Sequence, residues 1–160
     1  MTTAYKTCGF FGFGKKFDLE TICPKDTKMI DYECVPQYPN TMYNILGTTT
    51  FEDAKKLVHP GCHLLSKKDL IDNRDTTMTF IASLKGASWV DAKRTGANTF
   101  VWNDGSNMTL GEKGHWAKGE PNNYRGKEGN VEVRKNGTFN DIPSNLKLIA
   151  VEVCPVATPY

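Results

Sequence analysis

Gly119-Glu120-Pro121-Asn122-Asn123, preceded by Trp116-Ala117-Lys118 and followed by Tyr124-Arg125-Gly126-Lys127-Glu128, is the stretch on which the reading of this chain turns. Asn140-Asp141 follows not far beyond it. Glu120, Glu128, Asp141 and the neighbouring asparagines offer carboxylate and amide oxygens from separate loop positions, with few basic residues close in sequence to neutralise them. Hard oxygens of this kind are what calcium requires, about six to eight of them at about 2.3–2.6 Å. Pro121 stiffens the run. A cis Glu120–Pro121 bond, which is expected here, makes a tight turn that aims side chains 120 and 122 the same way. On composition alone the run also reads as an ordinary polar surface loop.

The surrounding residues favour the metal. Trp102-Asn103-Asp104-Gly105-Ser106, then Trp116 to Asn123, then Glu128, then Phe139-Asn140-Asp141, resemble the C-type lectin-like domain over roughly residues 23 to 154. The motifs are specific in combination, whereas Glu-Pro-Asn alone is weak. The resemblance implies an α+β fold: two helices flanking two small antiparallel sheets, with a long-loop half that carries a calcium and sugar site. It implies calcium ligands Glu120, Asn122, Glu128, Asn140 and Asp141, all of which match the family in type and order. The sugar site is then the same five residues with Tyr124 beside them.

In that family the ion coordinates two vicinal hydroxyls of a sugar, and Glu-Pro-Asn goes with mannose, fucose or GlcNAc-type ligands. Tyr124 keeps a galactose in a turned orientation open, because an aromatic ring packs on a sugar face. The resemblance also implies Cys23–Cys34 and Cys62–Cys154 disulfides. The second pair is displaced from the family's usual positions, which fall near Val58 and Glu152, and a two-residue step along a strand keeps the same face. The family's inner disulfide is missing, with Asn130 and about Ser144 in its place. The long loops are therefore expected to depend on calcium for order, since such a bridge typically contributes about 2–4 kcal/mol. An auxiliary calcium is not expected: its positions fall near Lys93, Ala97, Asn123 and Gly129, which offer no carboxylate.

The chain has 160 residues, 39% of them hydrophobic and 11% aromatic, which suits one folded domain with a sizeable core. Residues 1–22 read as an N-terminal extension and 23–160 as the recognition domain. A net charge of +2 argues against a nucleic-acid partner, and no apolar run is long enough to insert in a membrane. Five cysteines suggest an oxidising compartment and a secreted protein. Met1 to Lys6 carries no apolar leader core, which leaves a trimmed mature chain or a cytosolic one. Cys8 is the odd cysteine. It reads either as a free buried thiol or as a bond between chains of a homo-oligomer.

Pro36 and Pro39 interrupt a strand hairpin expected within residues 23 to 47. Thr50-Phe51-Glu52-Asp53 resembles a capping box that opens a first helix, and His59-Pro60-Gly61 stops it. Ser66 is placed to cap a second helix running to about Leu84. Strands follow at Trp89–Ala92, Phe100–Trp102, around Val131 and Val133, and at Ile149–Val153. The long stretch up to Glu128 is too long to be structureless without a function. Lys135-Asn136-Gly137 reads as a hairpin turn with both central residues at positive φ, and Asn140-Asp141 as the far end of the return strand.

Rival motifs are weaker. Gly9 to Lys16 nearly matches a phosphate-binding loop but lacks the final Ser or Thr and a preceding strand. His59, Cys62 and His63 lack a convergent fourth zinc ligand. Asn107-Met108-Thr109 and Asn136-Gly137-Thr138 match the short glycan-acceptor pattern. A glycosidase also pairs carboxylates, but one of them must be neutral, and calcium favours both ionised. The chain is thus read as a binding module rather than an enzyme. Two classes stand: calcium-dependent glycan binding, and a protein-interaction domain on the same scaffold.

Overall fold

The computed structural model describes residues 27–30, 33–36, 41–108 and 115–156. Its first described piece is an antiparallel pair, β1 (Thr27–Ile30) and β2 (Glu33–Pro36), in register from Thr27 opposite Pro36 to Ile30 opposite Glu33. This is the hairpin expected before residue 47. Cys8, Cys23 and the side chain of Cys34 lie outside the described residues, and with them the Cys23–Cys34 pair.

Residues 41–155 form a compact unit of their own. The unit begins with β3 (Thr41–Thr49) and closes with β10 (Leu148–Pro155), which run antiparallel from Thr41 opposite Pro155 to Thr49 opposite Leu148. The ends of the unit are therefore neighbours. Between Ala150 and Val151 the register shifts, with Ala150 opposite Gly47 and Val151 opposite Ile45. A bulge of this kind re-aims a side chain, and Leu46 there packs against the smaller of two cores.

Next comes α1 (Phe51–Leu57). Thr50 caps it, its hydroxyl accepting the Asp53 N–H at 3.4 Å, with Glu52 and Asp53 in the positive first turn and Lys55 and Lys56 in the last. Phe51 and Ala54 are fully buried. After the short β4 (His63–Leu64) the expected second helix is broken in two. Lys68–Asp72 form a π turn, closed by the Asn73 N–H on the Lys68 carbonyl at 3.0 Å, and α2 (Arg74–Ala82) starts afresh beyond Asn73. The break follows from Asp69, Asp72 and Asn73, whose short polar side chains compete with helical hydrogen bonding. Asp69, almost wholly buried, turns back to the Ser66 N–H and hydroxyl at 3.0 and 3.1 Å.

The remaining strands are β5 (Ser88–Arg94), β6 (Phe100–Trp102), β7 (Asn107–Met108), β8 (Asn130–Val133) and β9 (Phe139–Ile142). Two antiparallel groups result, β3-β10-β4 and β7-β6-β5-β8-β9. They join into one sheet at a single parallel pair, Ile149 with Ser88. Alternation along β5 sorts its side chains between two cores. Val90 and Ala92 enter the larger core with Phe100, Val131, Val133, Phe139 and Val153. Trp89 enters the smaller one with Phe51, Ile142 and Ala150, its indole N–H donating to the Thr49 carbonyl at 2.7 Å.

The β8–β9 turn departs from expectation. Only Gly137 lies at positive φ (+83°), while the Asn136 side-chain oxygen accepts the Thr138 N–H at 3.1 Å and hydroxyl at 2.7 Å. The connection is a turn followed by one left-handed residue, which matches the twist of the strands as well as a two-residue turn does. Asn140 and Asp141 consequently sit within β9 rather than at its far end.

Candidate functional site

Asp141 is the centre of the loop half. It sits on β9 opposite Val131 and is fully buried. A buried carboxylate must be paired. Here Oδ1 accepts the Asn122 N–H at 3.0 Å, Oδ2 accepts the Asn123 N–H at 2.7 Å, and the Arg94 guanidinium donates to Oδ2 as well. The loop is thereby tied to the strand at the residues that follow Pro121. The Glu120–Pro121 bond is cis. Gly119 precedes it at φ +83°, a conformation that suits glycine.

Around this anchor the other acids gather. Glu120 Oε1 accepts the Asn122 amide at 3.1 Å, while its Oε2 is buried with no hydrogen-bond partner. Glu128 Oε2 accepts the Tyr124 N–H at 2.7 Å, and the Glu128 N–H donates to Asn123 Oδ1 at 3.3 Å. Burial pushes the Glu120 carboxyl above its ordinary range, and the adjacent Asp141 and Glu128 carboxylates push it further. Burial also raises Glu128; the Tyr124 N–H opposes this and Asp141 adds to it. Three carboxylates thus face one another, and one oxygen is an orphan. Unmade bonds of this sort cost about 1–3 kcal/mol or more for a charged group. A divalent cation with oxygen ligands removes both the repulsion and the orphan, so the donor set fits calcium.

Of the five expected ligands, hydrogen bonds join Asn122 directly to Glu120 and Asp141, and Glu128 joins them through the Tyr124 N–H, which donates to both Asn122 Oδ1 and Glu128 Oε2. Asn140, next to Asp141 on β9, turns its amide to Glu132 Oε1 at 3.0 Å, which also accepts from Arg134 Nε at 3.4 Å. Tyr124 is 60% exposed at the edge of the cluster, with the Arg125 guanidinium 5.1 Å from its ring centroid. Asn123 and Arg125 hold left-handed backbone, φ 48° and 56°, as side chains at binding loops often do.

The expectation that few basic groups neutralise these acids is corrected here. Arg94 pairs with Asp141, and Arg134 acts on the charge of Glu120. Both are distant in sequence from the Glu-Pro-Asn run, and only the sheet brings them close. Arg94, Asn123 and Glu132 are the site residues that sequence reasoning missed. The one signal for Asn123 was its place directly after the motif.

The zinc candidates disperse. His59 Nδ1 lies 2.9 Å from Glu152 Oε1, whereas His63 Nε2 lies 2.9 Å from Asp69 Oδ2. The ligand atoms of Cys62, Glu152 and Cys154 do lie together, but the two sulfurs are bonded to each other.

No family model matches the chain. Two curated proteins do. Pulmonary surfactant-associated protein D of Bos taurus is 34% identical over 95 residues, 58% of this chain and 24% of that protein. CD209 antigen-like protein A of Mus musculus is 32% identical over 87 residues, 51% of this chain and 35% of that protein. The match therefore spans well under half the length of either relative. Among solved structures, the C-type lectin TC14 of the tunicate Polyandrocarpa misakiensis superposes with a TM-score of 0.63 at 18% identity, covering 74% of this chain and 100% of that one. The carbohydrate-recognition domain of mouse scavenger receptor C-type lectin gives 0.62 at 19% identity, covering 86% and 100%.

The fold is that of C-type lectin domains. The long-range disulfide expected from the resemblance is present at Cys62–Cys154, with Cα atoms 4.4 Å apart. Where the family's usual pair would fall, next to Val58 and at Glu152, a hydrogen bond stands instead: the His59 N–H donates to Glu152 Oε2 at 2.9 Å. Among the described residues no helix is long and apolar enough to cross a membrane.

Proposed function

We propose that this domain is a calcium-dependent lectin for sugars of mannose, fucose or GlcNAc type. The observation that carries the reading is the orphaned, buried Glu120 Oε2 among three mutually facing carboxylates. Glu120, Asn122, Glu128, Asn140 and Asp141 would hold the ion. Bound calcium would supply open coordination positions for two vicinal hydroxyls. Glu120 and Glu128 accept the hydroxyl protons, and the Asn122 and Asn140 amides donate to the hydroxyl oxygens; such charge-assisted bonds are the stronger kind. In the structure those amides donate to Glu120 and Glu132, so sugar binding would exchange one acceptor for another. A relative of the same fold, murine dendritic cell inhibitory receptor 2, was solved in complex with an N-glycan, with a TM-score of 0.56 and 22% identity over 84% of this chain and 99% of that one.

The exposed Tyr124 ring supports a second reading, a galactose held in a turned orientation. Residues 1–22 are taken as an extension and 23–160 as the recognition domain. The Cys62–Cys154 bridge supports secretion, since such bonds persist in oxidising compartments. Cell-surface or microbial glycans are the proposed partners, and Cys8 a means of joining chains.

Binding to immobilised mannose, fucose and galactose, with and without a chelator, is the test. Calcium affinity is expected at about 10⁻⁴–10⁻³ M. Asn122→Asp should keep the ion but weaken or alter sugar selection, because it removes an amide donor. Glu128→Ala should weaken both. If no sugar binds in millimolar calcium, or binding survives the chelator, a protein-interaction role takes the place of this one.

A further inference from the structure

Arg94 ends β5, where the chain leaves the sheet for the loops. Its Nε donates to the Glu128 carbonyl at 2.8 Å, Nη1 donates to the carbonyls of Gly96 (3.3 Å) and Ala97, and Nη2 donates to the Asp141 carboxylate. Its backbone N–H donates to the Gly129 carbonyl at 2.9 Å. The Phe100 ring lies against the guanidinium, 4.5 Å from Cζ to the centroid. The side chain is 12% exposed. Residues 96 and 97, residue 128 and β9 therefore meet on one side chain.

The bonds close a ring. Arg94 holds Asp141; Asp141 holds the N–H groups of Asn122 and Asn123; the Asn123 side chain accepts from the Glu128 N–H; and the Glu128 carbonyl returns to Arg94. Three loop carbonyls and a carboxylate that converge on one point make a cation site in all but name. A guanidinium fills it from within, its five donors fixed in a plane. Among the described residues no disulfide ties this stretch, and Lys93, Ala97 and Gly129 supply no carboxylate.

We infer that Arg94 is a positioning residue, a built-in cation that holds the loops at 95–97 and 122–128 and the Asp141 carboxylate in their binding arrangement before any ion arrives. On this reading calcium is not the only source of order in the loops. That the pre-formed site then takes one calcium rests on the lectin reading; the clamp itself does not.

The test is hydrogen exchange of the full chain, followed by mass spectrometry, in chelator and in millimolar calcium. In chelator the native loops at 95–99 and 120–128 should be protected. In Arg94→Ala they should exchange roughly tenfold faster or more, because a locally closed segment has lost its own opening barrier, while β3 and β10 keep native protection. Calcium should restore the loops of the variant. Methylguanidinium added in chelator should also restore them, and an equal concentration of sodium should not. Arg94→Lys, which keeps the charge but not the fork, should fall between. Native-like loop protection of Arg94→Ala in chelator overturns the inference, as does loss spread evenly over the chain or rescue by sodium as well as by methylguanidinium. Should Arg94→Ala not fold, Arg94→Lys decides: native protection overturns the clamp, and selective loosening of the two loops upholds it. A native protein that binds no calcium sinks the lectin reading and leaves the clamp to be judged on the chelated samples.

Discussion

Glu152 shows how far one residue's role depends on neighbours that the sequence does not place beside it. Its side chain is 2% exposed. Burial alone would raise its carboxyl, but the His59 N–H, the Asn44 amide at 3.1 Å and the His59 ring outweigh burial and hold it below the ordinary carboxylate range. A carboxyl lowered by folding adds stability above its unfolded value, and that stability is lost as pH falls through the lowered folded value. Glu152→Gln should therefore cost about 1–3 kcal/mol at neutral pH, the range for hydrogen bonds to a buried charge. The gap from the native protein should close below the ordinary carboxylate range. Urea midpoints of both proteins between neutral and strongly acid pH test this, and a pH-independent gap would count against it. At this scale the residue types of the candidate site were legible, because Glu120, Asn122, Glu128 and Asp141 follow a spaced motif. Arg94 was not: an arginine ending a strand looks like any other until the sheet aims it at Asp141.

Elements were legible where a local signal was strong and were misjudged where two local signals competed. Thr50 and Asp53 set the start of α1 as expected. The apolar spacing from Leu70 to Leu84 suggested one continuous helix, yet Asp69 spends its carboxylate on Ser66 and His63, and the chain slips into a π turn before α2. The β8–β9 turn was identified by Asn136-Gly137, but its geometry depends on packing. A Cβ on Gly137 would meet Met78 Sδ at 2.8 Å and Arg74 Nη2 at 3.1 Å, at a φ of +83°. Gly137→Ala should thus cost at least about 1–2 kcal/mol, the penalty for an L-residue in left-handed backbone. Thermal unfolding reads this, and an unchanged midpoint would show that the turn relaxes without strain. Because the turn leads into Asn140 and Asp141, the same variant should weaken calcium binding.

At the scale of the molecule, Cys62–Cys154 closes a loop of sequence separation 92 and pins the segment after α1 to the closing strand. Replacing both cysteines by serine should cost about 4–5 kcal/mol on the loop-entropy account, seen as a lower unfolding midpoint under oxidising conditions and no difference from the reduced native protein. The sequence by itself determined the α+β class, the order of helices and strands, and the residue types of the candidate site. Those follow from short-range capping, alternation and motif spacing, which are properties of neighbouring residues. Only the tertiary structure decided that two antiparallel groups join through Ile149 and Ser88, that His59 meets Glu152, and that Arg94 lies between the loops and Asp141. Each is a contact between residues far apart in the chain. Such contacts are selected by the joint packing of the two cores and by the need to pair buried charge, and no local pattern records them.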